Sequence, residues 1–218
     1  MNKKIKIAYC TPSLYYPGGM ERVLTLKANY FAEHWGYEIH IIITDGGEKE
    51  PYYKLHPSIT VHQLHIDYDE LYSLPLLKRI YGYWSKQKLF RKRLNKCLLE
   101  IEPDITASLL RRDINFINKM KDKSIKIGEI HLNKSNYRDF SNNHLPSCIQ
   151  RIVQQYWMRQ FVRQARKLKR FVVLSHEDAA EWTELNNVTV IYNPLPFLPQ
   201  RQSDNSNKQV IAVGRYDP

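Results

Sequence analysis

Cysteine is scarce in this chain: Cys10, Cys97 and Cys148 are all that 218 residues contain. An odd number, so widely spaced, is not a disulfide framework and suits a reducing compartment; it gives a structural zinc site no support either. Long apolar runs are missing too. The longest pieces, such as Ile39 to Ile43 and Phe171 to Leu174, fall far short of the roughly 18 residues of a membrane span. The start, Met1 to Cys10, alternates lysine with a handful of apolar residues, too few for the core of a signal peptide. Acidic residues are outnumbered 22 to 33, and the resulting charge of +11 draws anionic partners such as phosphate, nucleic acid or acidic lipid. There is no internal repeat and no low-complexity tract. The expectation is a cytoplasmic protein, peripheral on the inner face of a membrane.

What is present is enough to fold. Hydrophobic residues make up 43% and charged residues 25%, near globular averages. Lys4 to Cys10 reads as a first strand, followed by a loop rich in Pro, Tyr and Gly. Met20, Val23, Leu24, Ala28, Phe31 and Trp35 then fall three and four apart, as on a helix with one buried face that Gly36 ends. Glu38 to Thr44 is rich in isoleucine, like a strand buried on both faces of a parallel sheet. Thr60 to Ile66 alternates. After Pro75 a long basic helix is predicted, with Phe90, Leu94, Cys97, Leu98 and Ile101 on one face and Arg91, Lys92, Arg93 and Lys96 mostly on the other. Further strands are predicted at Asp104 to Leu109, Ile125 to Ile130, Arg170 to Leu174 and Val188 to Ile191, with a helix over Cys148 to Leu168 that carries apolar Ile149, Ile152, Val153, Tyr156, Phe161 and Leu168. Strands alternating with helices imply an α/β fold with a doubly wound, mainly parallel sheet of Rossmann-like type.

After Asn193 the composition changes, with Pro194, Pro196 and Pro199 followed by a polar run. The reading is one domain over 1–200, a linker over 201–208, and over 209–218 the first strand of a second domain, cut off.

In such sheets ligands bind at the carboxyl ends of the strands. The loop after the first strand reads Tyr16-Pro17-Gly18-Gly19-Met20-Glu21-Arg22. Two glycines at a strand-to-helix junction let backbone approach a ligand, and a helix start suits a phosphate; a plain tight turn is the alternative. The spacing is not Gly-x-Gly-x-x-Gly, so the nicotinamide fingerprint is absent. Pro17-Gly18-Gly19-Met20-Glu21-Arg22 resembles the proline-glycine-glycine turn near the start of family 4 glycosyltransferases of the GT-B class. Glu129-Ile130-His131 after a strand, Val172 to Asp178 opening a helix, Val190 to Leu195, and Val213-Gly214-Arg215-Tyr216 agree with that family in order and spacing.

The resemblance implies two Rossmann-like domains facing across a cleft, the first on the acceptor side and the second holding a nucleotide-sugar donor. It implies transfer of a sugar with retention of configuration and without a metal or other cofactor, the nucleotide sugar being a co-substrate, onto a glycan or lipid-linked acceptor. Gly18 and Gly19 would approach the donor diphosphate, Arg215 would grip a phosphate, and His131 would be catalytic, near the sugar and acceptor. The family's lysine after that arginine and its glutamate pair lie beyond Pro218, so the chain as given is expected to be inactive alone. His131 also has its own case, since an imidazole at a strand's carboxyl end can bond a sugar hydroxyl or a developing charge.

Two basic stretches explain most of the charge. Lys78 to Lys96 is free of acid and interleaved with Tyr81, Tyr83 and Trp84; Arg151 to Arg170 is likewise free of acid. Rings among cations suit an interfacial helix on anionic lipid, with Arg91, Lys92 and Arg93 facing membrane or acceptor. They also suit stacking on bases, which keeps a Rossmann-like nucleic-acid binder as the rival, while a solvated face needs no partner at all. Asp67-Tyr68-Asp69 matches an Asp-x-Asp metal pattern of another glycosyltransferase class, in a different setting, and no metal is expected.

Overall fold

The computed structural model describes residues 4–134, 137, 147–195 and 197, with side chains except at 76 and 147–149. The linker and second-domain strand predicted over 201–218, Arg215 among them, lie outside the described residues.

Seven strands form one sheet: β1 (Lys6–Thr11), β2 (Glu38–Ile43), β3 (Thr60–Gln63), β4 (Ile105–Ser108), β5 (Ile125–Glu129), β6 (Arg170–Val173) and β7 (Val188–Val190). Every pairing is parallel, and the order is β3-β2-β1-β4-β5-β6-β7. This is the doubly wound sheet that the alternating pattern predicts. The isoleucine run of β2 is buried from Ile39 to Ile43 because helices or loops cover both faces.

Helix α1 (Gly19–His34) packs on one face, where Leu24, Ala28 and Ala32 meet Ile7, Tyr9, Ile39, Ile41 and Ile43. Helices α2 (Leu76–Ile101), α3 (Ser147–Ala165) and α4 (His176–Glu181) belong to the other face, with Phe90, Leu94, Leu98, Phe161, Phe171 and Trp182 at its centre. Ser175 caps α4, its hydroxyl accepting from the Asp178 amide.

The buried stripe predicted for α2 is buried throughout. The stripe predicted over Cys148 to Leu168 is not: Phe161 in α3 and Leu168 just after it are buried, but Ile152 and Tyr156 are 67% and 65% exposed. Helix α3 has 19 residues, about 28 Å, whereas β5 and β6 have five and four. Where a helix outruns its sheet, no strand lies beneath its first turns among the described residues, whatever their periodicity. The same holds for α2, whose early residues Leu77, Ile80, Tyr81 and Trp84 are exposed.

Candidate functional site

The winding of the sheet reverses between β1 and β4, and the loops leaving their carboxyl ends part there to form a crevice. It is lined by Cys10 and Thr11 at the end of β1, Pro12 just after it, Thr44 after β2, Arg111, Arg112 and Asp113 after β4, and Phe90 of α2. Its floor has room for a group the size of one water molecule.

Two charged arrangements define this site. At its rim the buried Asp45 carboxylate accepts hydrogen bonds from the Thr44 hydroxyl at 2.8 Å, the Tyr68 amide, and Arg112 Nη1 at 3.1 Å. The Arg112 guanidinium lies 4.2 Å over the Tyr68 ring, so an ion pair and a cation–π contact fix it on two sides. At the floor, Asp113 is 3% exposed and one of its oxygens, Oδ2, has no hydrogen-bond partner. Burial pushes its carboxyl up to about 6, against the Ser108 hydroxyl and the amides of Arg111, Asp113 and Ile114, which favour the ionised form. Thr11 Oγ1 is likewise buried without a partner. Just before these residues Leu110 has a φ of 50°, a left-handed conformation that a leucine seldom adopts. The Leu110 amide donates to Ser108 Oγ, and its carbonyl accepts from the Tyr137 hydroxyl at 3.0 Å. That strained turn presents Arg111 to Asp113 to the crevice.

His131 stands farther along the same edge, just beyond β5. Its side chain is 9% exposed, and Nε2 lies 3.6 Å from Glu129 Oε2, too far for a hydrogen bond. Glu129 is paired instead with Lys27 of α1. Burial pushes the Glu129 carboxyl up, but His131 and Lys27 outweigh it and hold the group below its ordinary value. The parallel topology thus places Gly18 and Gly19, at the start of α1, and His131 on the same edge of the sheet.

Gly18 has an ordinary extended backbone, φ −85° and ψ 159°. A Cβ there would sit 2.1 Å from Glu21 Oε2, so a side chain at this position would make the Glu21 carboxylate swing aside. The buried Glu21 carboxylate folds back onto Gly18 at the amino end of α1, the position suited to an anion. Nothing lies within 4 Å of a Cβ at Gly19, so only Gly19 keeps open space beside it for a ligand.

Of the basic trio, Arg91 and Lys92 are exposed, while Arg93 Nη1 is bound to the carbonyls of Leu64 and His65, both at 2.6 Å. Arg93, itself exposed, ties α2 to the loop after β3 through Nη1. Asp69 accepts from the Tyr15 hydroxyl, and the Asp67 carbonyl accepts from Lys86. Among the described residues no three His, Cys, Asp or Glu side chains come together as metal ligands, and no helix is long and apolar enough to cross a membrane.

Motif reading missed Asp45, Arg112 and Asp113. The available signal was position alone: Arg111-Arg112-Asp113 directly follows a predicted strand, and Asp45 follows another.

No family model matches the chain, and no curated protein gives a significant match. Solved structures do match. Sucrose-phosphate synthase from Thermosynechococcus elongatus superposes with a TM-score of 0.62 at 10% identity, over 87% of this chain and 48% of its own. Arabidopsis thaliana UGT89C1, complexed with UDP-L-rhamnose, gives 0.55 at 14% identity, over 92% and 51%. The apo lipopolysaccharide outer core galactosyltransferase WaaB gives 0.53 at 14%, over 88% and 46%. The chain spans about half the length of these structures. What it shares with them is the fold, the Rossmann-like domain of GT-B glycosyltransferases.

Proposed function

We propose that this chain is the acceptor-side half of a GT-B glycosyltransferase of family 4 type. It would transfer a sugar from a nucleotide-sugar donor to a glycan or lipid-linked acceptor, with retention and without a metal. The observation that carries this reading is an all-parallel sheet whose carboxyl edge gathers a crevice, the Gly18-Gly19 turn and His131, in a fold matched by half of each of several glycosyltransferases.

In this mechanism the bond from the anomeric carbon to the leaving phosphate oxygen breaks while the acceptor oxygen bonds to that carbon on the same face. The acceptor proton passes to the leaving phosphate. Positive charge develops on the sugar, and His131 meets it as the charge grows. Lys27 and Glu129 position that imidazole by fixing the β5 end against α1. Gly19 supplies open backbone at a helix start. A second domain, over and beyond 209–218, would hold the nucleotide.

The test joins residues 1–218 to a donor half in the longer chain and follows labelled sugar from nucleotide to acceptor. His131→Ala should lower turnover more than it weakens donor binding, because its contact belongs to the transition state. Unchanged turnover would return His131 to an ordinary loop residue. The lone 218-residue chain should bind nucleotide sugar weakly, since this reading assigns the ribose and sugar contacts to the second domain.

The proposal places the enzyme at an anionic membrane surface. The supporting observation is the exposed stripe of Leu77, Ile80, Tyr81 and Trp84 running into Lys88, Arg91 and Lys92. Anionic vesicles should retain the chain in the presence of single-stranded RNA, neutral vesicles should not, and reversing Arg91 and Lys92 should release it. Saturable RNA binding without vesicle binding at the same salt would favour the nucleic-acid reading instead.

A further inference from the structure

A buried polar atom without a partner costs roughly 1–3 kcal/mol, and most are satisfied by protein or water. The crevice holds two, Thr11 Oγ1 and Asp113 Oδ2, on side chains that line the same small floor. Both residues are at least nine-tenths buried, at 5% and 3% exposure. They come from different strand ends, and neither lies in the set formed by Lys27, Glu129 and His131. Above the floor the charge changes sign. Arg111 is exposed and makes no ion pair among the described residues, and Arg112 is held by Asp45 and the Tyr68 ring with guanidinium N–H groups to spare.

We propose that this crevice seats an anionic sugar: one hydroxyl enters the floor between Thr11 and Asp113, and a carboxylate or phosphate substituent meets Arg111 and Arg112. The floor admits a single hydroxyl, so it reads one position on the ring. Thr11 Oγ1 both donates and accepts, and Asp113 Oδ2 accepts the ligand's O–H. The guanidinium of Arg112 is fixed before the ligand arrives, which lowers the ordering cost of binding. The proposal rests on the glycosyltransferase reading for its role, that of the acceptor's seat, but the binding itself needs no donor.

The experiment uses the 218-residue chain and three probes, glucuronic acid, glucose 6-phosphate and glucose, followed by ligand-observed NMR and calorimetry. Both charged probes should bind, with the preferred one telling whether carboxylate or phosphate is the natural substituent, and glucose should bind at least about tenfold more weakly. Thr11→Val, which keeps shape, and Asp113→Asn should each weaken the charged probes about tenfold or more, and Arg111→Gln should reduce the preference over glucose. No binding of any probe, or equal binding of glucose, overturns the proposal. So does unchanged binding by folded Thr11→Val and Asp113→Asn, which would mean that the floor holds a water only. Sugar transfer by the longer chain is a separate measurement, so failure of one result leaves the other standing.

Discussion

Asp113 and Glu129 are both acids of the sheet's carboxyl edge, both withdrawn from water, and their carboxyls shift in opposite directions. Asp113 faces hydroxyl and amide groups and makes no ion pair among the described residues, and burial pushes it up to about 6. Glu129 suffers a similar burial, yet Lys27 on α1 and His131 beyond β5 hold it below its ordinary value. Depth alone therefore does not separate these two acids; the cation that α1 delivers to Glu129 does. One edge of one sheet thus carries one carboxyl held below its ordinary value and another raised to about 6.

The strongest way to break this contrast is to remove the cation from Glu129. Lys27→Met should lower stability in urea unfolding at pH 7 by about 3–5 kcal/mol, because a buried carboxylate is left unpaired. Since the folded Glu129 carboxyl is held low, its stabilisation is present above its ordinary value of 4.5 and is lost as pH falls through the folded value. The difference between wild type and variant should therefore narrow in acid. A loss under about 1 kcal/mol would mean that the pair is not what holds β5 to α1.

A smaller change, of the opposite sign, is expected from Asp113→Asn. The folded carboxyl titrates near 6, above its ordinary 3.8, so the fold favours the protonated form. Stability should fall as pH rises from about 4 through 6 and level off above. The Cys10 thiol and Tyr68 hydroxyl that sense Asp113 are both raised by burial and stay neutral in this range. Asparagine removes the ionisable group, so the variant should be about 2–3 kcal/mol more stable at pH 7.5 and no more stable at pH 4. The same variant is expected to bind an anionic sugar less well, and a protein gaining stability while losing a ligand is the signature of a functional group kept at a cost. If thermal unfolding shows the pH 7.5 gain absent, Asp113 has a cation partner after all.

Most of the architecture was readable from the chain because parallel strands buried on both faces announce themselves as short apolar runs. The runs at β1, β2, β5 and β6 lie within a residue or two of the observed strands. The Gly18-Gly19 loop and His131 were readable as residues at strand ends. Their surroundings were not, because Lys27 meets Glu129 across 102 positions and Arg112 meets Asp45 across 67. No local pattern encodes such a distance. The exposure of Ile152 and Tyr156 escaped for a related reason: periodicity reports which face of a helix is apolar, and only the assembled sheet determines how far along the helix there is something to cover.

Helix α2 turns this last point into a matter of reach. Phe90 lines the crevice at the sheet's edge, and from there back to Leu76 runs about 21 Å of helix, packed at first through Gln87 and Tyr83 and exposed at Trp84, Tyr81, Ile80 and Leu77. Lys86 braces its root against the Ile66 and Asp67 carbonyls, and Gly82 admits Leu71 so closely that a Cβ would lie 2.7 Å from it. The projecting part is thus a rigid spacer with rings and cations along it. Anything held at its tip is kept a helix-length away from Thr11 and Asp113. Under the membrane reading proposed above, a lipid surface gripping the tip would set a standoff, and a substrate would need a reacting end long enough to span it, so α2 would gauge length as well as attach.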